Sequence, residues 1–226
     1  QGNVLFALIF KNIKSRTGRD YTLGLYSLAG AILEPAIGAF VVAAFWYIIR
    51  REEIGGVHVA LFVAVSYTPF SIFRRSLTTI PRSLRANQAF YAYQQVKPFD
   101  SITAQFVIEV TLILIGGTLL MFALWWFLDL SIKTDQIPQF LGMLALMAIS
   151  GFGMSLFLGT YGMIYPVIMK IVGTFSVGMM FLCAVMHPLS ELPTKASYAL
   201  SWNPIVHIEE KLREYGLGME PDPNIT

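Results

Sequence analysis

Two carboxylates, Glu34 and Glu109, and two adjacent arginines, Arg74 and Arg75, lie inside stretches of this sequence that are otherwise apolar. A charge in an apolar environment needs a partner charge, hydrogen bonds or water. We therefore expect Glu34 and Glu109 either to hydrogen-bond a neighbouring helix or to contact a substrate or an ion. A guanidinium group binds phosphate or carboxylate through two parallel hydrogen bonds, so Arg74 and Arg75 are candidate ligands for an anionic substrate or for anionic lipid.

Five apolar stretches surround these charges. They cover residues 28–49, 57–79, 101–127, 139–162 and 168–188. About 20 helical residues, at about 1.5 Å each, cross the hydrocarbon core of a bilayer. Only 13% of the residues are charged, against about 25% in a soluble domain. We predict an all-α integral membrane protein, with residues 1–226 forming one transmembrane helical bundle.

The positions of the basic residues predict the orientation in the membrane, because Lys and Arg concentrate in cytoplasmic loops. More than half of the 16 basic residues lie in the N-terminal segment or around the loop after the second stretch, namely Lys11, Lys14, Arg16, Arg19, Arg74, Arg75, Arg82, Arg85 and Lys97. The N-terminus and this loop are therefore predicted to be cytoplasmic. Five crossings then leave the acidic tail outside, and we expect a sixth span beyond the end of this sequence.

Residues 3–20 place an apolar half ahead of a basic half. This pattern predicts an amphipathic helix in the cytoplasmic interface, with its basic side chains among lipid headgroups. The apolar face would carry Leu5, Leu8, Ile9 and Ile13, and the basic half carries Lys14, Arg16 and Arg19. A flanking anchor without any mechanism is the alternative.

The loop after the second stretch is too polar to cross a membrane but is rich in helix-forming residues. We predict a cytoplasmic helix within residues 82–97, ended by Pro98, with Asp100 and Ser101 capping the third span. A candidate docking surface consists of Asn87, Gln88, Phe90, Tyr91, Tyr93 and Gln94. Aromatic residues are enriched and charges depleted at the centres of protein interfaces. An interfacial helix resting on lipid is the alternative.

Small residues recur in the fourth stretch at Gly151, Ser155 and Gly159, with Gly162 after them. At this spacing they share one helix face and allow another helix to approach closely. The stripe predicts a tightly packed bundle.

The tail, residues 189–216, is predicted to form two short helices that half-enter the membrane from the outside. Asn203 is expected to cap the second helix and Pro204 to occupy its first position. One face of this helix would be apolar, with Ile205, Ile208, Leu212 and Tyr215, and the opposite face charged, with Glu209, Glu210, Lys211 and Arg213.

The sequence lacks the motifs that are typical of several functional classes. It has no GxxxxGK[ST] phosphate-binding loop, no HExxH and no GxSxG. The single cysteine, Cys183, excludes an internal disulfide and a multi-cysteine metal site. We predict no catalytic residue, metal or cofactor in this chain, so any energy source must be a partner. An ion channel or secondary transporter using Glu34 and Glu109 is the alternative.

The sequence resembles the permease subunits of type-2 ATP-binding-cassette exporters, most closely the capsular polysaccharide export permeases of Gram-negative bacteria. The residues that carry the resemblance are ILEPAIGAF, NQAFYAYQQVKPFDSITAQFVIE and SWNPIVHIEE, together with the order of the segments. The resemblance covers nearly the whole chain and stops short of the sixth span.

The resemblance implies a homodimer with a central channel in the bacterial inner membrane. Two separate ATPase subunits would bind ATP and magnesium and contact a coupling helix within residues 82–97, while residues 3–20 would form a gate helix. The substrate would be a lipid-linked acidic glycan, passed to periplasmic co-polymerase and outer-membrane export proteins, with no nucleic-acid partner. O-antigen, teichoic acid or a small hydrophobic compound remain alternative cargoes.

For such an exporter, aromatic side chains are candidates for a channel wall on which sugar rings slide. The candidates are Trp46, Tyr47, Tyr67, Phe70 and Phe73. Arg74 or Arg75 would then hold a lipid phosphate or a sugar carboxylate. The alternative for the aromatic residues is a belt at the membrane interface together with lipid-facing phenylalanines.

Overall fold

Helices make up almost all of the regular structure. The computed structural model describes residues 2–17, 21–49, 52–133, 135–223 and 225. Its α-helices are α1 Gly2–Thr17, α2 Tyr21–Ile48, α3 Val59–Ala86, α4 Pro98–Leu128, α5 Ile137–Ile164, α6 Pro166–Phe175, α7 Met179–Leu182, α8 Thr194–Leu200 and α9 Pro204–Leu217. Short 3₁₀ helices cover Gln88–Ala92 and Leu189–Glu191.

The connection between α2 and α3 contains a small β-hairpin that the sequence patterns did not predict. Strands β1 (Glu53–Ile54) and β2 (Val57–His58) pair in antiparallel fashion. The turn residues Gly55 and Gly56 have φ angles of +56° and +77°, a backbone conformation that glycine adopts without steric cost.

Helix α3 is the central element of the described bundle. Its 28 residues pack against α2, α4, α5, α6 and α9. Most of its side chains are buried, including Phe62, Phe70 and Ile72. Any displacement of α3 must therefore shift its contacts with helices on several sides of the bundle.

Two helices in the described part of the chain, α4 and α5, are long and apolar enough to cross a membrane. Shorter apolar segments cover Ile32–Ile48 within α2 and the whole of α6. The prediction of one continuous helix over residues 168–188 is wrong, because α6 ends at Phe175 and α7 begins at Met179. Several weak helix formers in this region, including Gly173 and Gly178, reduce the cost of the interruption.

The end of α3 and the start of α4 differ from those predicted. Helix α3 continues through Pro81 to Ala86 instead of ending near residue 79; interior prolines are tolerated in membrane helices when neighbouring groups satisfy the freed carbonyl. Pro98 begins α4 instead of ending the preceding helix, since the first helical position needs no N–H donor. The Asp100 carboxylate then accepts a hydrogen bond from the Lys97 N–H at 3.0 Å.

The small residues of α5 lie where α3 crosses it. A Cβ atom added to Gly151 would lie 2.6 Å from the Ser76 hydroxyl oxygen, and one added to Gly159 would lie 3.0 Å from a Leu84 methyl carbon. Ser155 is fully buried. The predicted close helix contact is therefore confirmed; its main partner is α3, and at Gly159 it also includes Ile102 of α4.

Candidate functional site

A cluster of charges joins α2, α3 and α4; Arg75 and Glu109 are buried, whereas Arg74 and Glu34 are partly exposed. The Arg74 guanidinium donates to the Glu34 carboxylate at 2.9 Å. Arg75 pairs with both Glu34 and Glu109. Glu109 is fully buried and the Arg75 side chain is only 7% exposed. Buried ionic groups persist when their geometry and remaining hydrogen bonds are satisfied, and here each guanidinium group has a carboxylate partner.

This charge cluster also reaches α1. The Gln105 side-chain amide donates to Glu109 at 2.7 Å, and the Asn12 amide donates to Gln105 at 3.1 Å. Helix α1 is thus hydrogen-bonded to the same polar residues that hold α2, α3 and α4 together. The arrangement favours the structural role for Glu34 and Glu109 over an ion site.

Arg74 and Arg75 differ in how accessible their side chains are to a ligand. Arg75 is buried and its two neighbours are carboxylates, so it has no room for an anionic substrate in this conformation. Arg74 keeps a side chain that is 24% exposed and lies 6.0 Å from the centre of the Tyr67 ring. Both arginines therefore act first as partners of Glu34.

Most of the aromatic residues predicted for a channel wall do not face open space in this conformation. Tyr67, Phe70, Phe73 and Trp46 are all buried in the core, because α3 is surrounded by other helices and Trp46 packs against His187 with ring centres 6.2 Å apart. Tyr47 alone among the five offers its ring, with 73% of its surface exposed.

The segment that follows α3 has the form of a 3₁₀ helix and turns rather than the predicted α-helix. We call residues 87–96 the docking segment. Gln88, Tyr93 and Gln94 are exposed, whereas Phe90 and Tyr91 are partly buried. Together with α1, this segment encloses an open cleft of about 840 Å³. Tyr93 and Gln94 are exposed and also line this cleft, so the predicted docking surface borders α1.

One lysine joins α1 to the docking segment. The Lys11 ammonium group donates to the buried Asn87 side-chain carbonyl. The same ammonium group lies 4.5 Å from the centre of the Phe90 ring, a favourable arrangement of a cation over an aromatic face. Movement of the docking segment therefore acts directly on α1.

Helix α1 buries only part of its apolar surface. Leu8 is buried, whereas Phe6 and Phe10 are 71% and 61% exposed. Of the residues predicted for a gate helix, Lys14 is exposed and Arg16 belongs to α1, although its side chain lies outside the described part, as does the whole of Arg19.

A second cluster of charges joins α9 to α3. The Arg213 guanidinium donates to the Ser66 hydroxyl at 2.8 Å, to Glu210 at 2.7 Å and to the Ala184 carbonyl, and it lies 4.7 Å from the Phe62 ring centre. On the predicted charged face of α9, these partners allow Arg213 and Glu210 to be buried. The predicted Asn203 cap is confirmed by its hydrogen bond from the Ile205 N–H at 3.1 Å.

Glu209 is a further buried carboxyl group on α9, outside the stretches predicted to span. Neither of its oxygens has a hydrogen-bond partner in the described structure. Burial raises the pKa of Glu209 to about 8, an effect that the positive charge of Arg213 reduces and the negative charge of Glu210 increases. The side chain is therefore mostly protonated at neutral pH. The ion pair between Glu210 and Arg213 had one signal in the sequence, the i,i+3 spacing of the two residues.

The two apolar helices of membrane-spanning length, with a buried charge pair beside them, fit a helical integral membrane protein. The sequence matches the ABC-2 type transporter family over residues 3–215. The chain therefore belongs to the ABC-2 type transporter family, whose members supply the membrane domain of such transporters.

Similar proteins with established names align over most of this chain. It is 27% identical over 208 residues to the polysialic acid transport protein KpsM of Escherichia coli, covering 92% of this chain and 79% of that protein. The capsule polysaccharide export inner-membrane protein BexB of Haemophilus influenzae is 26% identical over 213 residues, which are 94% of this chain and 78% of BexB. The protein CtrC of Neisseria meningitidis serogroup A, which has the same descriptive name, is 25% identical with the same coverage.

Proposed function

We propose that this chain is the channel-forming permease subunit of an exporter that moves lipid-linked capsular polysaccharide across the bacterial inner membrane. A separate ATPase supplies the energy. Family membership and the names of three relatives that align with over 90% of the chain support this function. The permease works as a multi-pass protein with its N-terminus in the cytoplasm, in agreement with the basic residues of that segment.

The observation that carries the proposal is the attachment of the docking segment to two helices at once. It continues directly from α3, and Lys11 of α1 binds Asn87 and lies over Phe90. Gln88, Tyr93 and Gln94 of the docking segment are exposed and accessible to a partner. An ATPase that binds these exposed side chains pushes on α3 and α1 together.

Helix α3 then carries the movement through the membrane. Near its cytoplasmic half, Arg75 links it to Glu34 of α2 and Glu109 of α4. Towards its other end, Ser66 accepts a hydrogen bond from Arg213 of α9. A shift of one helix therefore rearranges both the spanning helices and the outer helices that cap the route.

Two copies of the permease form the channel between them, and each binds one ATPase subunit. Exposed apolar side chains on α2 and α5, such as Phe40 and Phe157, supply surface for a second copy or for lipid. The exposed ring of Tyr47 offers a face for a sugar. Periplasmic co-polymerase and outer-membrane export proteins receive the polymer beyond α8 and α9.

The test replaces Tyr93 and Gln94 together by alanine. We expect the permease to lose co-purification with its ATPase and the cells to lose surface polysaccharide, while permease abundance in the membrane is unchanged. Trp202→Ala is the matched control, because Trp202 is an exposed aromatic residue far along the chain, just before α9. Normal ATPase binding by the Tyr93 and Gln94 variant would exclude the docking segment as the coupling site.

A further inference from the structure

A pocket with three basic residues lies between the end of α3 and the junction of α5 and α6. It has a volume of about 380 Å³. Arg82 and Arg85 lie one turn apart on α3, and Lys170 faces them from α6. The remaining walls are mostly apolar and include Met163 and Met169. We call this feature the basic pocket; it lies next to the docking segment, at the same end of α3.

The cations of the basic pocket differ from the other arginines on α3 and α9. Arg74, Arg75 and Arg213 each pair with a carboxylate. Among the residues that the structure describes, none forms an ion pair or hydrogen bond with the side chain of Arg82, Arg85 or Lys170. All three residues are exposed, so their positive charges are accessible to an anion, which would reduce the repulsion between them.

The backbone of α6 makes room for one of these guanidinium groups. A Cβ atom added to Gly173 would lie 3.0 Å from the Arg82 Nη2 atom, so a side chain there would require the guanidinium group to shift slightly. Arg82 therefore reaches α6 beside Gly173. Val167 and Ile171, on the same helix, are each more than 60% exposed and supply an apolar surface beside the charges.

We propose that the basic pocket binds the phosphate of an anionic lipid. Guanidinium forks bind phosphate oxygens in pairs, and the lysine adds a point charge. The apolar walls and the exposed side chains of α6 suit a hydrocarbon chain attached to that phosphate. The shared chemistry is a phosphodiester between a polar headgroup and an acyl chain. Its source is either a membrane phospholipid or the lipid anchor of the exported glycan.

The test uses the full-length protein, with any subunits that co-purify, in a neutral detergent. Native mass spectrometry measures the binding of phosphatidylglycerol and of phosphatidylcholine. We expect phosphatidylglycerol to bind preferentially. The variant with Arg82→Gln, Arg85→Gln and Lys170→Gln should bind it at least about tenfold more weakly, a loss of about 1.4 kcal/mol. Lys195→Gln is the control, because Lys195 is an exposed lysine on α8.

Further variants separate charge from folding and identify the source of the phosphate. Arg82→Lys with Lys170→Arg keeps the three charges and should retain at least part of the binding. A synthetic glycolipid with a phosphodiester-linked acyl chain should displace phosphatidylglycerol if the pocket serves the substrate, and a resident phospholipid site should resist this displacement.

The proposal does not depend on the proposed export function, because lipid binding is measured without transport or ATP hydrolysis. It is overturned if the triple variant and wild type bind phosphatidylglycerol equally, or if Lys195→Gln lowers binding as much. It is also overturned if the triple variant loses its ATPase but keeps the lipid, since the cations would then serve a protein contact.

Discussion

Arg75 lies between two carboxylates, and this position explains how an apolar bundle retains four charges. Its guanidinium group binds Glu109, which is fully buried, and Glu34, which also binds Arg74. Removing one partner of a buried pair leaves the other charge uncompensated, which costs about 3–5 kcal/mol. The two arginines are neighbours in sequence, yet their surroundings make their expected contributions unequal.

We therefore predict that Arg75→Met destabilises the protein by about 3 kcal/mol or more, because Glu109 stays buried without its cation. Arg74→Met should cost about 1 kcal/mol or less, since Arg74 is partly exposed and Glu34 keeps Arg75. Thermal unfolding of the purified protein in detergent measures both. Adding Glu109→Gln to Arg75→Met should restore most of the loss, and equal effects of the two single variants would contradict this account.

The charges of α9 illustrate what local spacing fails to reveal. Helical periodicity predicts a charged face with Glu209, Glu210 and Arg213 opposite the apolar face, yet all three are buried. The reason is a contact with Ser66, which lies 147 residues away in sequence. Such a partner is found only once the chain has folded, so an amphipathic pattern alone assigned these side chains to the wrong environment.

Glycines set the distance between helices in this bundle. A Cβ atom on Gly116 of α4 would lie 2.0 Å from the Ile32 carbonyl oxygen of α2. A backbone atom cannot rotate away as a side chain can, so the two helices would have to separate. Gly153 of α5, in contrast, has no atom within 4 Å of such a Cβ.

From this difference we predict opposite effects of the same substitution. Gly116→Ala should destabilise the protein by about 1–3 kcal/mol through overpacking between α2 and α4. Gly153→Ala should leave the stability unchanged or raise it by up to about 1 kcal/mol, because alanine is the better helix former. Thermal unfolding in detergent compares them. A Gly116→Ala protein as stable as wild type would show that α2 and α4 do not approach this closely.

At the level of elements, the sequence predicted what depends on local pattern. The apolar stretches correspond to α2, α3, α4 and α5, and the Asn203 cap appears where its spacing requires. The misassigned features depend on neighbours: α3 passes through Pro81, and residues 168–188 break into two helices. Hydropathy averages over windows, so it records the length of an apolar run but not an interruption within it.

For the candidate site, residue type was predicted better than geometry. The charged residues Glu34, Arg74, Arg75 and Glu109 were identified from their apolar surroundings, but nothing in the spacing indicated that they bind one another. The docking segment was recognised from its aromatic and amide residues, whereas its attachment to Lys11 required the fold. Residue types can be read from the sequence, whereas the geometry of the site depends on contacts between segments that are distant in sequence.

At the scale of the whole molecule, direct contacts join α1, the docking segment and α3. Lys11 binds Asn87 at the end of α3, while Asn12 binds Gln105 of α4. Adjacent residues of α1 thus contact the proposed ATPase-binding surface and the buried charge cluster. Because both contacts are short and polar, α1 should follow the docking segment when the ATPase moves it.

The last prediction tests whether the contact of Lys11 with the docking segment transmits movement to α1 or only helps to bind the ATPase. Lys11→Met removes the hydrogen bond to Asn87 and the charge over Phe90, but leaves the exposed side of the docking segment intact. We expect the ATPase to co-purify normally and to hydrolyse ATP, while the export of polysaccharide to the cell surface falls about tenfold, equivalent to about 1.4 kcal/mol of lost coupling. Lys195→Met, an exposed lysine on α8, should leave both measurements unchanged. If Lys11→Met also exports normally, α1 does not transmit the movement; if it loses the ATPase, Lys11 belongs to the docking surface itself.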